Sequence, residues 1–112
     1  AGGKLSAATM RRVEEFVAER LEGALRLDEL ADVACVSKFH FSRLFKRTTG
    51  LTPHRYVIRC RVRRAQLLLR DPTYNDYSIA GVAVRCGFVD QSHLGRHFKA
   101  QLGVTPAEYR RG

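Results

Sequence analysis

Apolar residues recur along this chain at three- and four-residue intervals and nowhere in convincing alternation, a pattern that predicts helices throughout and an all-α fold. Val13, Phe16, Val17 and Leu21 mark a first helix over about 7–21, with Ser6 or Thr9 placed to cap it. Leu27, Leu30, Ala31 and Ala34 mark a short helix over roughly 27–34, and Asp28 and Glu29 sit in its first turn, where negative charge suits the helix dipole. After a turn at Cys35-Val36, Ser37 caps a third helix with Phe41, Leu44, Phe45 and Thr48 inward, and Gly50 ends it. Thr52-Pro53, a cap followed by proline at the first helical position, opens a long helix to about Leu69. Ile58, Val62, Ala65 and Leu69 share one of its faces with Leu68 beside them, while Arg59, Arg63 and Arg70 point the other way. Asp71-Pro72 breaks the pattern, and 71–77 reads as a polar linker. Ser78 starts a second short helix (79–86), and Asp90 caps the next, whose buried line is Leu94, Phe98 and Leu102. Thr105-Pro106-Ala107-Glu108 combines proline at the first position with a capping box and opens a short final helix, giving about seven in all.

Two stretches of this pattern repeat each other. At an offset of 53 the matches are Val36/Val89, His40/His93, Arg43/Arg96, Phe45/Phe98, Lys46/Lys99, Gly50/Gly103, Thr52/Thr105, Pro53/Pro106 and Tyr56/Tyr109. Upstream the offset is 52, pairing Leu27 with Ile79, Leu30 with Val82, Ala31 with Ala83 and Ala34 with Cys86. One residue has been gained in the second copy, where a turn would sit. A repeated unit with an insertion at its turn implies two similar small modules presenting the same surface.

Charge says what that surface faces. The formal net charge is +9, and between Val33 and Arg70 there is no Asp or Glu but ten Lys or Arg. Residues 1–32 carry seven acidic and five basic side chains, so the basic field is localised. A basic tract inside patterned helix favours a folded surface facing a polyanion. A short helix, a tight turn and a capped second helix with a polar outer stripe describe a helix-turn-helix, whose second helix enters the DNA major groove.

The outward face of the first such helix offers Lys38, Phe39, Ser42, Arg43 and Lys46, opposite the Phe41/Leu44/Phe45 stripe. The second offers Gln91, Ser92, Arg96 and Lys99, with Gly95 at the place of Ser42. Arginine can bind guanine O6 and N7 bidentately and glutamine can do the same for adenine. Phe39 suits contact with a thymine methyl, or else staples the helix start against the core. Arg43 and Arg96 read bases, or else contact phosphate or solvent; Lys46 and Lys99 read best as phosphate ligands.

The stretch G-F-V-D-Q-S-H-L-G-R-H-F-K-A-Q-L-G-V-T-P-A-E-Y-R (87–110) closely resembles the signature of the AraC/XylS family of bacterial transcription regulators. L-D-E-L-A-D-V-A-C-V-S-K-F-H-F-S-R-L-F-K-R-T-T-G and Y-V-I-R-C-R-V-R-R-A-Q-L-L-L resemble it too, so the likeness covers about 9–110. It implies two helix-turn-helix subdomains joined by a long linker helix and binding consecutive major grooves of double-stranded promoter or operator DNA. The expected organisation is a linker or leftover expression sequence over 1–8, subdomains at 9–52 and 71–112, and the linker helix at 53–70. The family's base contacts fall on Phe39, Ser42 and Arg43, and on Gln91, Ser92 and Arg96, with His93 in reach; Lys38, Lys46 and Lys99 are expected at phosphates. The resemblance further implies RNA polymerase as a partner, and an N-terminal sensor or dimerisation domain in the full-length protein. Three departures stand out. Cys35 takes a turn position where the family usually has glycine, so an ordinary φ is expected there. Gly95 weakens the second recognition helix by about 1 kcal/mol relative to alanine. Leu94 replaces the commoner aromatic.

Other chemistries find little support. His93 and His97 have the spacing of a helical metal pair with Cys86 a turn away, but a zinc site wants a fourth ligand and no motif supplies one. No catalytic set and no glycine-rich nucleotide loop is present, so neither an enzyme nor a cofactor is implied. Cys35, Cys60 and Cys86 form no C-x-x-C and suggest reduced thiols in a cytoplasmic protein. No run approaches the ~18–20 apolar residues that span a bilayer, so no membrane partner is expected. Two other readings remain: an architectural binder using Arg59, Arg63 and Arg64 as electrostatics, and a protein-interaction or enzyme-targeting module.

Overall fold

Side-chain caps fix where most of the helices begin. Ser6, Ser37, Ser78, Asp90 and Thr105 each accept a hydrogen bond from the backbone N–H three residues on, at 2.8–3.2 Å. Thr52 does the same for Arg55 at 3.2 Å, and Glu108 returns the bond to Thr105 N–H at 2.8 Å, closing the capping box. The computed structural model describes residues 3–112 as α1 (Ala7–Glu19), α2 (Leu27–Val33), α3 (Lys38–Thr49), α4 (Pro53–Arg70), α5 (Ile79–Arg85), α6 (Gln91–Leu102) and α7 (Pro106–Arg111). A 3₁₀ turn at Pro72–Tyr74 is the remaining element, and there is no strand among the described residues. Left-handed Gly50 (φ 80°) and Gly103 (φ 78°) end α3 and α6.

The chain divides into two units, the first running through Val57 and the second from Ile58, so the boundary falls inside α4. In the first, Val13 and Val17 of α1, Leu30 and Ala31 of α2, Phe41, Leu44 and Phe45 of α3 and Val57 of α4 are buried, with Leu21 beyond the end of α1. In the second, Ile58, Val62, Ala65 and Leu69 of α4 pack with Val82, Ala83, Cys86, Phe88, Leu94 and Phe98. The repeat is physical as well as textual. Phe45 meets Tyr56 edge-on at 5.2 Å, and their repeat partners Phe98 and Tyr109 meet edge-on at 5.4 Å.

The two short helices also close with the same turn. Cys35 N–H donates to the Asp32 carbonyl and Val36 N–H to the Ala31 carbonyl, both at 3.1 Å. Gly87 N–H donates to the Val84 carbonyl and Phe88 N–H to the Ala83 carbonyl, both at 3.0 Å. This bond pair is a Schellman closure, which needs one left-handed residue. Gly87 supplies it at φ 91°, and Cys35 supplies it at φ 59°, correcting the expectation of an ordinary φ. Closing the last carbonyls of α2 dictates the conformation, and Cys35 adopts it despite its Cβ. The left-handed region costs a residue with a Cβ about 1–2 kcal/mol, and glycine's extra freedom in the unfolded chain offsets about half of that. Cys35→Gly is therefore expected to stabilise the first unit by about 0.5–1 kcal/mol, seen as a higher urea midpoint at constant slope. A lower midpoint would show that the turn stores no such strain.

The paired closures also correct the sequence register. Val36 stands opposite Phe88, and the caps Ser37 and Asp90 follow, so Val89 is the inserted residue and not the partner of Val36.

Three further expectations change. Of residues 1–8, Ala1 and Gly2 lie outside the described residues, but Leu5 donates its N–H to Thr48 Oγ1 at 2.9 Å and α1 begins at Ala7, so 5–8 belong to the first unit. Within 71–77, Asp71 accepts from Thr73 N–H at 2.9 Å, and Arg110 donates to the carbonyls of Tyr77 (2.7 Å) and Tyr74 (3.0 Å). This stretch is pinned to α7 by a long-range pair that no local pattern reveals. Leu102, expected on the buried line of α6, is 37% exposed because the helix ends at Gly103, past the reach of the core.

Candidate nucleic-acid interface

Burying Phe41, Leu44 and Phe45 turns the opposite face of α3 outward. Lys38, Phe39, Arg43 and Lys46 are exposed on it, Phe39 at 69%. The Lys38 ammonium lies 5.5 Å from the Phe39 ring centroid, a cation–π contact that leaves the ring in solvent and keeps a positive charge beside it. Ser42 is half-buried, and its hydroxyl donates to the Lys38 carbonyl at 3.0 Å. While that bond is made, Ser42 offers a ligand its lone pairs, and rotating the hydroxyl to donate would break the bond to its own helix. Arg43 and Lys46 take part in no ion pair among the described residues, which leaves both charges available to an anion.

Burial of Leu94 and Phe98 does the same for α6, placing Gln91, Ser92, Arg96 and Lys99 on its exposed face. A Cβ added at Gly95 would meet nothing within 4 Å, so this position carries no packing duty. Lys99 differs from its repeat partner Lys46 in having an acidic neighbour. The Glu108 carboxyl is held below the usual carboxylate range, chiefly by the Thr105 N–H and in part by Lys99.

The histidines of α6 are absorbed locally. His93 Nδ1 accepts from Val89 N–H at 3.3 Å, and its ring meets His97 edge-on at 5.0 Å. Cys86 is fully buried in the second core, and among the described residues no group of three His, Cys, Asp or Glu could hold a metal ion. Of the arginines on α4, Arg59 and Arg63 are exposed, whereas Arg61 is half-buried and its pKa is lowered by that burial. Arginine's intrinsic pKa is high enough that it stays charged. No helix among the described residues is long and apolar enough to cross a membrane.

All nine side chains singled out in the sequence thus lie on the two second helices of the repeated pairs: Lys38, Phe39, Ser42, Arg43 and Lys46 on α3, and Gln91, Ser92, Arg96 and Lys99 on α6. A domain family described as "Helix-turn-helix domain" matches residues 30–112, from α2 to the end of the chain. The chain is 38% identical to the DNA-binding domain of AdpA, a global transcriptional factor solved in complex with a target DNA; the match covers 92% of this chain and 90% of that one with a TM-score of 0.82. It is 27% identical to an AraC-type transcriptional regulator from Chromobacterium violaceum, covering 93% and 90% of the two chains with a TM-score of 0.84. The chain belongs to the AraC-type helix-turn-helix family.

Among curated relatives, the transcriptional activator RhaS of Escherichia fergusonii is 32% identical over 111 residues, 99% of this chain but 39% of RhaS. The chain therefore spans about two fifths of the length of the curated relatives it matches. As an AraC-type domain it has its family match over α2–α7, and α1, which buries Val13 and Val17, lies before the matched span.

Proposed function

We propose that this chain is the sequence-specific DNA-binding part of a bacterial transcription regulator, with α3 and α6 entering consecutive major grooves of double-stranded promoter or operator DNA. The observation that carries the reading is the duplicated turn-and-helix. Two identical backbone closures each launch a capped helix whose outer face is cationic and hydrogen-bonding. AdpA's complex with a target DNA and RhaS's description as an activator support the same reading.

On this reading Phe39, Ser42 and Arg43 contact bases from α3, and Gln91, Ser92 and Arg96 from α6. Lys38, Lys46 and Lys99 bind phosphates and set the register of each helix. The chain binds and does not catalyse. In the whole cytoplasmic protein it works beside a sensor or dimerisation domain and reaches RNA polymerase.

Neutralising three phosphates releases counterions, so log affinity should fall against log salt with a slope of about −2.7 or steeper. A selected duplex should also outcompete a scrambled one at every salt concentration. Equal affinity for the two duplexes in a competition assay would overturn the regulator reading and favour an architectural binder working through Arg59, Arg63 and Arg64.

A further inference from the structure

Resting on that DNA-binding reading, we propose that Val89 is a specificity-determining residue of the second unit, whose isopropyl group reads the 5-methyl of a thymine in the major groove. Val89 is the residue inserted into the second turn, between Phe88 of the Schellman closure and the cap Asp90; the first unit passes directly from Val36 to its cap Ser37. An inserted apolar residue in a folded turn would ordinarily be expected to pack. Instead Phe88 is buried at 3% and Val89 stands 80% exposed, more than Phe39 or Leu67 at 69%.

The residue is also held still. Its own N–H donates to His93 Nδ1 at 3.3 Å, Asp90 accepts from His93 N–H at 2.8 Å, and Phe88 anchors the preceding position in the core. A β-branched side chain has few rotamers to lose. Val89 is thus a preorganised apolar knob, and contact with a ligand costs it little ordering.

Its surroundings select the ligand. Gln91 and Ser92 follow after the cap Asp90 and Arg96 lies seven positions on, all exposed and all hydrogen-bonding, so a purely apolar partner would strand them. The major-groove edge of an A·T pair fits both needs, since adenine N6 and N7 suit the Gln91 amide while the thymine methyl is the one apolar group on any base edge. Gly95 offers no side chain further along α6, which concentrates base reading at this end of the helix.

The test uses binding sites selected from a random duplex pool by the wild-type chain and by Val89→Ala. The wild-type sites should contain a thymine whose preference disappears from the Val89→Ala pool. Replacing that thymine by uracil, which removes only the methyl, should weaken wild-type binding about fourfold. The same replacement should leave Val89→Ala binding unchanged, so that the two losses do not add. Identical pools, or an equal uracil penalty for both proteins, would overturn the assignment while leaving specific DNA binding intact. A wild-type pool with no enriched sequence would overturn the DNA-binding reading itself, and this assignment with it.

Discussion

Phe98→Ala is expected to unfold the second unit and to shrink the DNA footprint of the chain from two helical turns toward one. Phe98 is fully buried, packs in the cluster that holds Val82, Leu94 and Leu69, and meets Tyr109 edge-on at 5.4 Å. Deleting a core phenylalanine ring costs about 3–5 kcal/mol. The 55 residues from 58 to 112 can draw on a total stability of only about 3–8 kcal/mol at the usual yield per residue. The loss is therefore comparable with everything the unit has. Circular dichroism should show part of the helical signal melting early, and footprinting should show protection retained where α3 binds and lost where α6 binds. Full two-turn protection by a variant whose second unit is demonstrably unfolded would refute the proposal that α6 occupies a groove.

The second large effect separates two neighbours on α3. Arg43 and Lys46 lie one turn apart on the same exposed face, and neither is held in an ion pair among the described residues. Arg43 has the planar fork that matches guanine O6 and N7, whereas a lysine ammonium acts as a point charge. Arg43→Ala should cost about 1–3 kcal/mol on the selected site and relax preference at one or two base pairs. Lys46→Ala should weaken selected and scrambled duplexes alike and flatten the salt slope by about one unit. Identical signatures from the two variants would mean that Arg43 only touches phosphate.

Local chemistry made most of this architecture readable from sequence. Ser37, Asp90 and Thr105 announce their helices because a short side-chain oxygen is what an unsatisfied helix start requires, and the Phe41/Leu44/Phe45 stripe fixes which face of α3 is left outside. What sequence concealed was set by backbone closure or by distance along the chain. The left-handed Cys35 is imposed by two hydrogen bonds and contradicts the preference of the residue itself. Arg110 reaches back 36 residues to Tyr74, a pairing without periodicity. The outer stripes of α3 and α6 were legible in position, but not in state. Nothing in the sequence shows that the Ser42 hydroxyl donates a hydrogen bond to the Lys38 backbone carbonyl, or that the extra residue of the second turn is Val89 and projects outward.

Gly95 gives the domain room to change its target. A recognition helix commits its inward residues to a core and its outward residues to a ligand, which leaves few positions free to vary. Gly95 is tied to neither, for a side chain built there meets open space and a helix gains about 1 kcal/mol when alanine replaces an interior glycine. If α6 reads bases as proposed, the second unit keeps one letter of its address blank, in a position where filling it strengthens the helix. On the proposed reading of α6, a side chain added at that site would change the base preference of the second unit and leave α3 as it is.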